Sequence, residues 1–255
     1  MRPASIDDSH PATRPLLITI DGPAGAGKTT VSRLLAEQLQ YRYLDTGALY
    51  RSVAYSVLIN SIDFEDDAAL TAHLKEFDLT PRAGKNGFRL LWNDRDITDQ
   101  IRTPEISMMA SIVSAKPAVR NFLLGMQREM GKDKALVCEG RDMGTVIFPE
   151  ADIKFFLDAE PHVRACRRYK EMPPKTTVTL EDISRDMLQR DQNDSQRALA
   201  PLKPADDAIR IDCTHIDPQA VVRQMMACIV PLLKARNQKT EDRRQKSEDL
   251  SSSIC

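Results

Sequence analysis

The sequence predicts an α/β protein: a three-layer body with a parallel sheet between helices, interrupted by an inserted small antiparallel sheet with its own helices. Three observations carry that prediction. Apolar runs at residues 16–20, 135–138 and 153–157 have the unbroken hydrophobicity of strands buried on both faces. Segments with apolar residues at helical spacing separate such runs. Asn86-Gly87, between the apolar runs 77–82 and 88–92, is a hairpin signal.

Taken in order, Leu16-Leu17-Ile18-Thr19-Ile20 is rich in apolar and β-branched residues and runs into Gly22-Pro23-Ala24-Gly25-Ala26-Gly27-Lys28-Thr29-Thr30. Gly22, Gly27, Lys28 and Thr29 fit G-x-x-x-x-G-K-[ST], and Val31, Leu34, Leu35 and Leu39 then recur at helical spacing. A loop between strand and helix points successive backbone N–H groups at phosphate oxygens. The helix N-terminus adds partial positive charge and Lys28 a mobile full one. Gly22 to Thr30 are therefore expected to bind a nucleoside triphosphate, with Thr29 offering its hydroxyl to Mg²⁺ carried on the phosphates.

Tyr43-Leu44 leads into the turn-forming trio Asp45-Thr46-Gly47, which precedes a helix bearing Leu49, Val53, Val57 and Leu58. Thr46 and Arg51 thus fall at and just beyond a helix start. A short helix over 66–75, the hairpin, and a third short strand near 96–98 form the insertion, and helices beginning near Thr103 and Pro117 bring the chain back. The strand at 135–138 ends in Glu139-Gly140-Arg141-Asp142, and 153–157 follows. Helices at 161–171 and 180–193 are separated by Met172-Pro173-Pro174-Lys175, which interrupts a helix and marks a candidate flap. A last strand at 208–211 and a last helix at 218–235 complete the body. The expected division is a flexible leader at 1–15, a core at 16–61 and 112–235, an insertion at 62–111 and a flexible tail at 236–255.

A chain of 255 residues buries about 70–75% of its unfolded surface, enough for one sizeable core. Its five cysteines, Cys138, Cys166, Cys213, Cys228 and Cys255, form no C-x-x-C pair and have no histidine at metal-ligand spacing. Reduced thiols and a cytoplasmic location are the expectation. A formal charge of −1 gives no overall pull toward nucleic acid or anionic lipid. No uncharged apolar run approaches the roughly 18 residues of a membrane span. From Arg236 onward both charge signs mix with serines, which reads as a solvated tail.

Seven arginines lie between 141 and 197 (Arg141, Arg164, Arg167, Arg168, Arg185, Arg190, Arg197), and Arg51, Arg102 and Arg120 stand earlier beside turns or small residues. Any one of them reads as a solvated or ion-paired surface group. Together they suit phosphate, because the planar guanidinium fork binds oxygens bidentately and keeps its charge. The four histidines adjoin no motif, so no histidine base is expected. None is required where the acceptor is a phosphate monoester, whose second pKa of about 6 leaves an ionised nucleophile at neutral pH. The remaining work is to hold donor and acceptor in line and to offset charge.

Asp45-Thr46-Gly47-Ala48-Leu49-Tyr50-Arg51, Glu139-Gly140-Arg141-Asp142-Met143-Gly144-Thr145-Val146, and Arg190-Asp191 with Asp194-Ser195 and Arg197-Ala198-Leu199-Ala200-Pro201-Leu202 complete the pattern. In order and spacing these motifs resemble bacterial-type cytidylate kinases, over about residues 16–233. The resemblance implies a phosphate-loop kinase core, a monophosphate-binding domain at 62–111 and a helical lid at about 164–190. It implies transfer of the γ-phosphoryl group of ATP to CMP or dCMP with Mg²⁺, by a monomer that binds neither nucleic acid nor membrane. It makes Lys28, Arg51, Arg141 and Arg168 catalytic. Arg51 and Arg141 would hold the acceptor phosphate, with Ser111, Arg120, Asp142 and Arg197 around cytosine and Arg190, Asp194 and Thr46 near the sugar. Cytosine offers an amino donor that suits Asp142 or Ser111 and ring acceptors that suit arginine, and uracil reverses part of that pattern. Arg164, Arg167 and Arg168 fall where the family has its lid, and at least one is expected on ATP phosphates.

Two features depart from the family pattern: the paired prolines make 171–177 stiffer than a lid, and leader and tail exceed the family core. Two other readings compete. A kinase of another small acceptor, like the shikimate and gluconate kinases, explains Lys28 but neither the hairpin insertion nor the Asp194 and Arg197 motif. A nucleotide-dependent switch would account for Ser114-Ala115-Lys116, which is similar to a guanine-binding tripeptide, but N-K-x-D does not occur.

Overall fold

The structure, a computed structural model, describes residues 15–84, 87–172 and 177–252. Strand β1, Leu17–Asp21, is buried along its whole length. It pairs in parallel with β6, Leu136–Gly140, on one side and β7, Ile153–Asp158, on the other. β2, Arg42–Asp45, and β8, Ile209–Asp212, complete a five-stranded parallel sheet of order β2-β6-β1-β7-β8. The period-two alternation of a strand sorts its side chains between two apolar clusters. Leu16, Ile18 and Ile20 pack with Val31 and Leu35 of helix α1, Lys28–Leu39, and with Val221, Met225 and Ile229 of helix α8, Pro218–Ser252. Leu17 faces the other way, with Leu44, Leu136, Cys138, Met143 and Phe148. This is the expected three-layer body.

Helix α2, Thr46–Ile59, leaves β2 directly, capped by the Asp45 carboxylate, which accepts from the Ala48 N–H at 3.1 Å. Beyond it come α3, Asp67–Glu76, capped by Asp66, and the antiparallel strands β3, Leu79–Gly84, β4, Gly87–Trp92, and β5, Arg95–Asp96. The flanks of the expected hairpin are in place, and Asn86 itself lies outside the described residues. Helices α4, Pro104–Val113, and α5, Pro117–Gly131, follow, each with proline in its first turn. One apolar cluster joins Leu70, Leu90 and Ile106 to Leu49 and Val53 of α2 and Leu123 of α5. The packing unit is therefore wider than the segment 62–111. Trp92 packs edge-on against Tyr55 and Phe77, as a core residue does.

After β6 the chain makes a π-helical turn over Met143–Ile147, an element its sequence does not announce. Helices α6, Pro161–Lys170, and α7, Leu180–Gln196, come next, the latter opened by a capping box between Thr179 and Asp182. Pro173 and Pro174, on which the expectation of a stiff flap rests, lie outside the described residues, as does the leader up to Arg14.

The tail expectation is corrected in part: α8 runs to Ser252, not Ala235. Residues 236–252 contain neither glycine nor proline and are rich in Gln, Lys, Arg and Glu, good helix formers that need no apolar face to continue a helix already begun. Arg236 anchors the extension, bonding the Asp152 carboxylate and donating to the Pro15 carbonyl at 3.4 Å. Among the described residues no helix is long and apolar enough to cross a membrane.

Candidate active site

The carboxyl ends of β1, β2 and β6 open into a cleft of about 630 Å³, where ligands of parallel α/β sheets bind. Its first wall is the glycine-rich loop. Gly22 has φ +148°, and a Cβ there would stand 2.0 Å from the Leu157 carbonyl oxygen, so only glycine lets β7 lie this close. Gly27, φ +90°, caps α1 in the left-handed region without any side-chain bond. The first N–H groups of α1 are thus left for a ligand.

Lys28 is 6% exposed, and its Nζ donates to the Pro23 carbonyl at 2.7 Å. Burial, with Arg141 adding to it, pulls its pKa down to about 7. Burial likewise lifts Asp21 to about 6, although its carboxylate accepts from the Gly144 and Met143 N–H groups at 2.8 and 2.9 Å. Thr29 and Thr30 are exposed on the cleft wall. The buried Glu139 carboxylate faces the Thr29 hydroxyl, and its pKa is raised by burial and then by Asp45.

Arginines and the carboxylates that aim them make the opposite wall. Arg51 bonds Asp45 at 2.7 Å, and Thr46 donates to the Glu139 carbonyl at 2.7 Å. Asp194, buried, accepts from Arg141 Nε at 2.9 Å and from Ser111 Oγ at 2.8 Å. Burial alone would raise its pKa, but Arg141 and Arg190 outweigh it and hold the carboxyl below the usual range. Arg197 donates to Ser114 Oγ at 2.8 Å and to one Asp142 oxygen at 3.4 Å, while Arg120 bonds the other Asp142 oxygen. Arg190 is half-buried, with its buried Nε unpartnered, and desolvation, then the neighbouring Arg141, lowers its pKa to about 10. A guanidinium this crowded by like charge is a seat for an anion.

The expected residues Thr46, Arg51, Ser111, Arg141, Asp142, Arg190, Asp194 and Arg197 all line this one cleft, together with Ala24 to Thr30. Three do not line it. Gly22 and Pro23, at the start of the loop, pack against β7 and the Lys28 ammonium instead, and Arg120 bonds Asp142, its guanidinium 5.8 Å from the Tyr50 ring centre.

The three arginines expected in a lid diverge. Arg164 is tied to Asp191 and the Ala24 carbonyl, and Arg167 donates to the Cys213 and Thr214 carbonyls. Arg168, half-exposed, pairs with Glu171 at 2.9 Å at the cleft edge. Sequence reasoning missed the side chains of Glu139, on the cleft wall, and Asp191, bonded to Ala24 and Arg164, and the apolar strip Ile216, Pro218 and Val221 that also lines the cleft. Only the proline at a helix start hints at the last.

Among the described residues no three His, Cys, Asp or Glu groups converge as metal ligands. An exposed Thr29 hydroxyl backed by the Glu139 carboxylate fits an ion held mainly by phosphate oxygens.

A phosphate cradle facing an arginine-lined pocket across one cleft defines the class: a phosphate-loop phosphotransferase acting between two anionic ligands. The chain belongs to the cytidylate kinase family, whose model matches residues 18–230. It is 43% identical over 213 residues to the cytidylate kinase of Carboxydothermus hydrogenoformans, covering 83% of this chain and 96% of that one. It is 44% identical over 216 residues to that of Thermosipho melanesiensis, covering 84% and 97%. Solved structures of a Bacteroides thetaiotaomicron shikimate kinase and a Sinorhizobium meliloti gluconokinase align over 84% and 87% of this chain and 98% and 95% of theirs. Their TM-scores are 0.44 and 0.45 at 13% and 14% identity, too loose to carry a functional reading.

Proposed function

We propose that the protein transfers the γ-phosphoryl group of ATP to CMP or dCMP, giving ADP and CDP or dCDP. The observation that carries this reading is the Asp142, Arg197, Asp194 and Ser111 network on the wall facing the phosphate loop. A simple phosphate pocket has no need of two buried carboxylates. A base with an exocyclic amine and ring acceptors does.

In this reading the loop and the N-terminus of α1 hold the donor phosphates and Lys28 bridges them. Arg51, Arg141 and Arg190 hold the acceptor phosphate, whose ionised oxygen forms the new bond to the γ-phosphorus as the bond to the β–γ bridging oxygen breaks. The electron pair stays with ADP. No side chain must take a proton, because the nucleophile is already ionised. The arginines, fixed by Asp45 and Asp194, offset charge on the transferring group without reorganising. Mg²⁺, held by the phosphates and Thr29, would supply further charge compensation.

Asp142, Ser111, Arg197 and, through Asp142, Arg120 read cytosine, and Asp194 with Thr46 borders the sugar. Residues 62–111 act as the monophosphate-binding part and about 164–190 as the lid, with Arg168 nearest the donor phosphates. In this reading the protein is a cytoplasmic monomer, and the free thiols of Cys138, Cys166, Cys213 and Cys228 fit the location.

The test is ADP release with ATP, Mg²⁺ and each of CMP, dCMP, UMP, AMP, GMP, shikimate and gluconate. Fastest turnover with CMP and dCMP is expected. Turnover no faster with CMP than with shikimate or AMP would overturn the reading.

A further inference from the structure

Behind the cleft, one residue of the phosphate loop is gripped at both of its backbone polar groups. The Ala24 N–H donates to Asp191 Oδ1 at 3.1 Å, and the Ala24 carbonyl accepts from Arg164 Nη1 at 2.8 Å. The same guanidinium nitrogen lies 2.5 Å from Asp191 Oδ2, and Arg164 Nε donates to the Ala159 carbonyl at 2.9 Å. A closed ring of bonds therefore runs from the loop to α6, to α7 and back. It is shielded: the side chains of Arg164 and Asp191 are 7% and 17% exposed. Ala24, Ala165, Ile183 and Met187 form an apolar patch beside it.

This arrangement differs from that of a phosphate-binding arginine. Arg164 is committed to two carbonyls and a carboxylate, and the Ala24 N–H, bonded to Asp191, is unavailable to a ligand. What the ring determines is the path of the backbone that follows, Gly25 to Lys28, which lines the cleft. Those glycines impose little conformational preference of their own. An external clamp is what selects one shape from the many they permit, and preorganised donors bind an anion without an ordering cost.

We propose that Asp191 and Arg164 are positioning residues that preshape the phosphate loop for the donor triphosphate. The inference deepens the kinase reading above and rests on it for the identity of the donor. Asp191 also sits on α7 between Arg190 and Asp194, both on the acceptor side. One helix thus sets the loop and presents acceptor groups, so the distance between the two halves of the site is fixed by a single rigid element.

The experiment uses the full chain and compares wild type, Asp191→Asn, Arg164→Lys and the double variant Arg164→Met/Asp191→Asn. ATP affinity is measured by calorimetry without acceptor, KM for ATP and for CMP by ADP release, and folding by thermal melting. Asp191→Asn keeps the shape but not the charge, and is expected to weaken ATP binding about tenfold or more, the size of one charge-assisted bond. KM for CMP should move less than about threefold. Arg164→Lys should fall between wild type and Asp191→Asn. The double variant should be no worse than its worse single parent, because both substitutions break one ring.

Unchanged ATP affinity in Asp191→Asn overturns the proposal. So do equal losses for ATP and CMP accompanied by a lower melting temperature, which mark a merely structural strut. If Asp191→Asn does not fold, ATP calorimetry on Arg164→Lys decides, with wild-type affinity overturning the proposal. A wild type that binds ATP but does not phosphorylate CMP refutes the cytidylate reading, and the calorimetric comparison still decides the clamp.

Discussion

Arg141 Nε and Asp194 Oδ2 meet at 2.9 Å although 53 positions separate them in the chain. The pair binds the end of β6 to α7, and Ser111 of α4 reaches the other oxygen of the same carboxylate. Removing the carboxylate should therefore release an arginine and orphan a buried hydroxyl at once. Asp194→Ala is expected to lower kcat/KM for CMP at least about a hundredfold, the scale for breaking a buried, hydrogen-bonded ion pair. KM for ATP should change little, and steady-state ADP release with each substrate varied in turn checks this. If Asp194 reads the sugar, the ratio of CMP to dCMP turnover shifts as well, and an unchanged ratio removes it from that role.

Arg197, one of the group proposed to read the base, bonds Ser114, Asp142 and the Ala200 carbonyl. Arg197→Ala should cut turnover with CMP by about ten- to a hundredfold while leaving ATP affinity near wild type. Equal losses in CMP turnover and ATP affinity would place this arginine elsewhere.

Lys28 gives a pH-dependent prediction of definite sign. Its folded pKa of about 7 lies far below the unfolded value, so the folded chain holds its proton less tightly than the unfolded chain does. The buried charge is then a full penalty at pH below 7 that fades as pH rises from there toward about 10. Lys28→Met should be nearly inactive yet melt at a higher temperature than wild type. That gap should be widest at pH 6 and shrink by pH 9. Wild type at pH 8 should also take up a proton on binding ATP, seen as a dependence of the binding enthalpy on buffer ionisation heat.

Asp152 accepts from the Leu17 N–H at 2.8 Å, from Lys134 at 2.8 and 2.9 Å, and from Arg236 of the α8 extension. Burial pushes its carboxyl up, and these bonds outweigh burial and hold it below the ordinary carboxylate range. Asp152→Ala is expected to cost about 1–2 kcal/mol in urea unfolding at pH 7, mainly by leaving the Leu17 N–H unpaired, since Lys134 and Arg236 are partly exposed and can turn to water. Because the folded pKa is depressed, the charge contributes fully above about pH 4 and its contribution is lost as pH falls from there through the folded pKa, so the gap between wild type and Asp152→Asn should narrow progressively on acidification below pH 4. Turnover at 25 °C should be unaffected.

The elements of this fold are legible because period and punctuation coincide with burial. Leu16 to Ile20 is apolar throughout because both faces of β1 are covered, and Asp45, Asp66 and Thr103 cap the helices that begin at them. The π-turn at Met143–Ile147 carries no comparable signal, since it is held from outside by the Asp21 carboxylate. The site divides the same way. The loop is contiguous and its motif is readable, whereas the partners of the arginines are set by tertiary approach. Asp142 pairs with Arg120 and Arg197 rather than with adjacent Arg141, and Arg164 finds Ala24 at a separation of 140 positions. Composition shows that arginines are abundant but not which of them a carboxylate already holds.

The apolar cluster around Leu49, Leu90 and Leu123 is separate from the one around Ile18, Leu35 and Met225. Across the cleft mouth the bridges are polar: Ser111 to Asp194, Ser114 to Arg197 and Arg120 to Asp142. These side chains are almost wholly buried, so breaking any one contact leaves a charge or hydroxyl without its partner, and Phe88 and Leu124 carry apolar packing across to the sheet as well. The two halves of the cleft are therefore joined by directional polar contacts as well as by packing, and their register is set by which carboxylate meets which arginine.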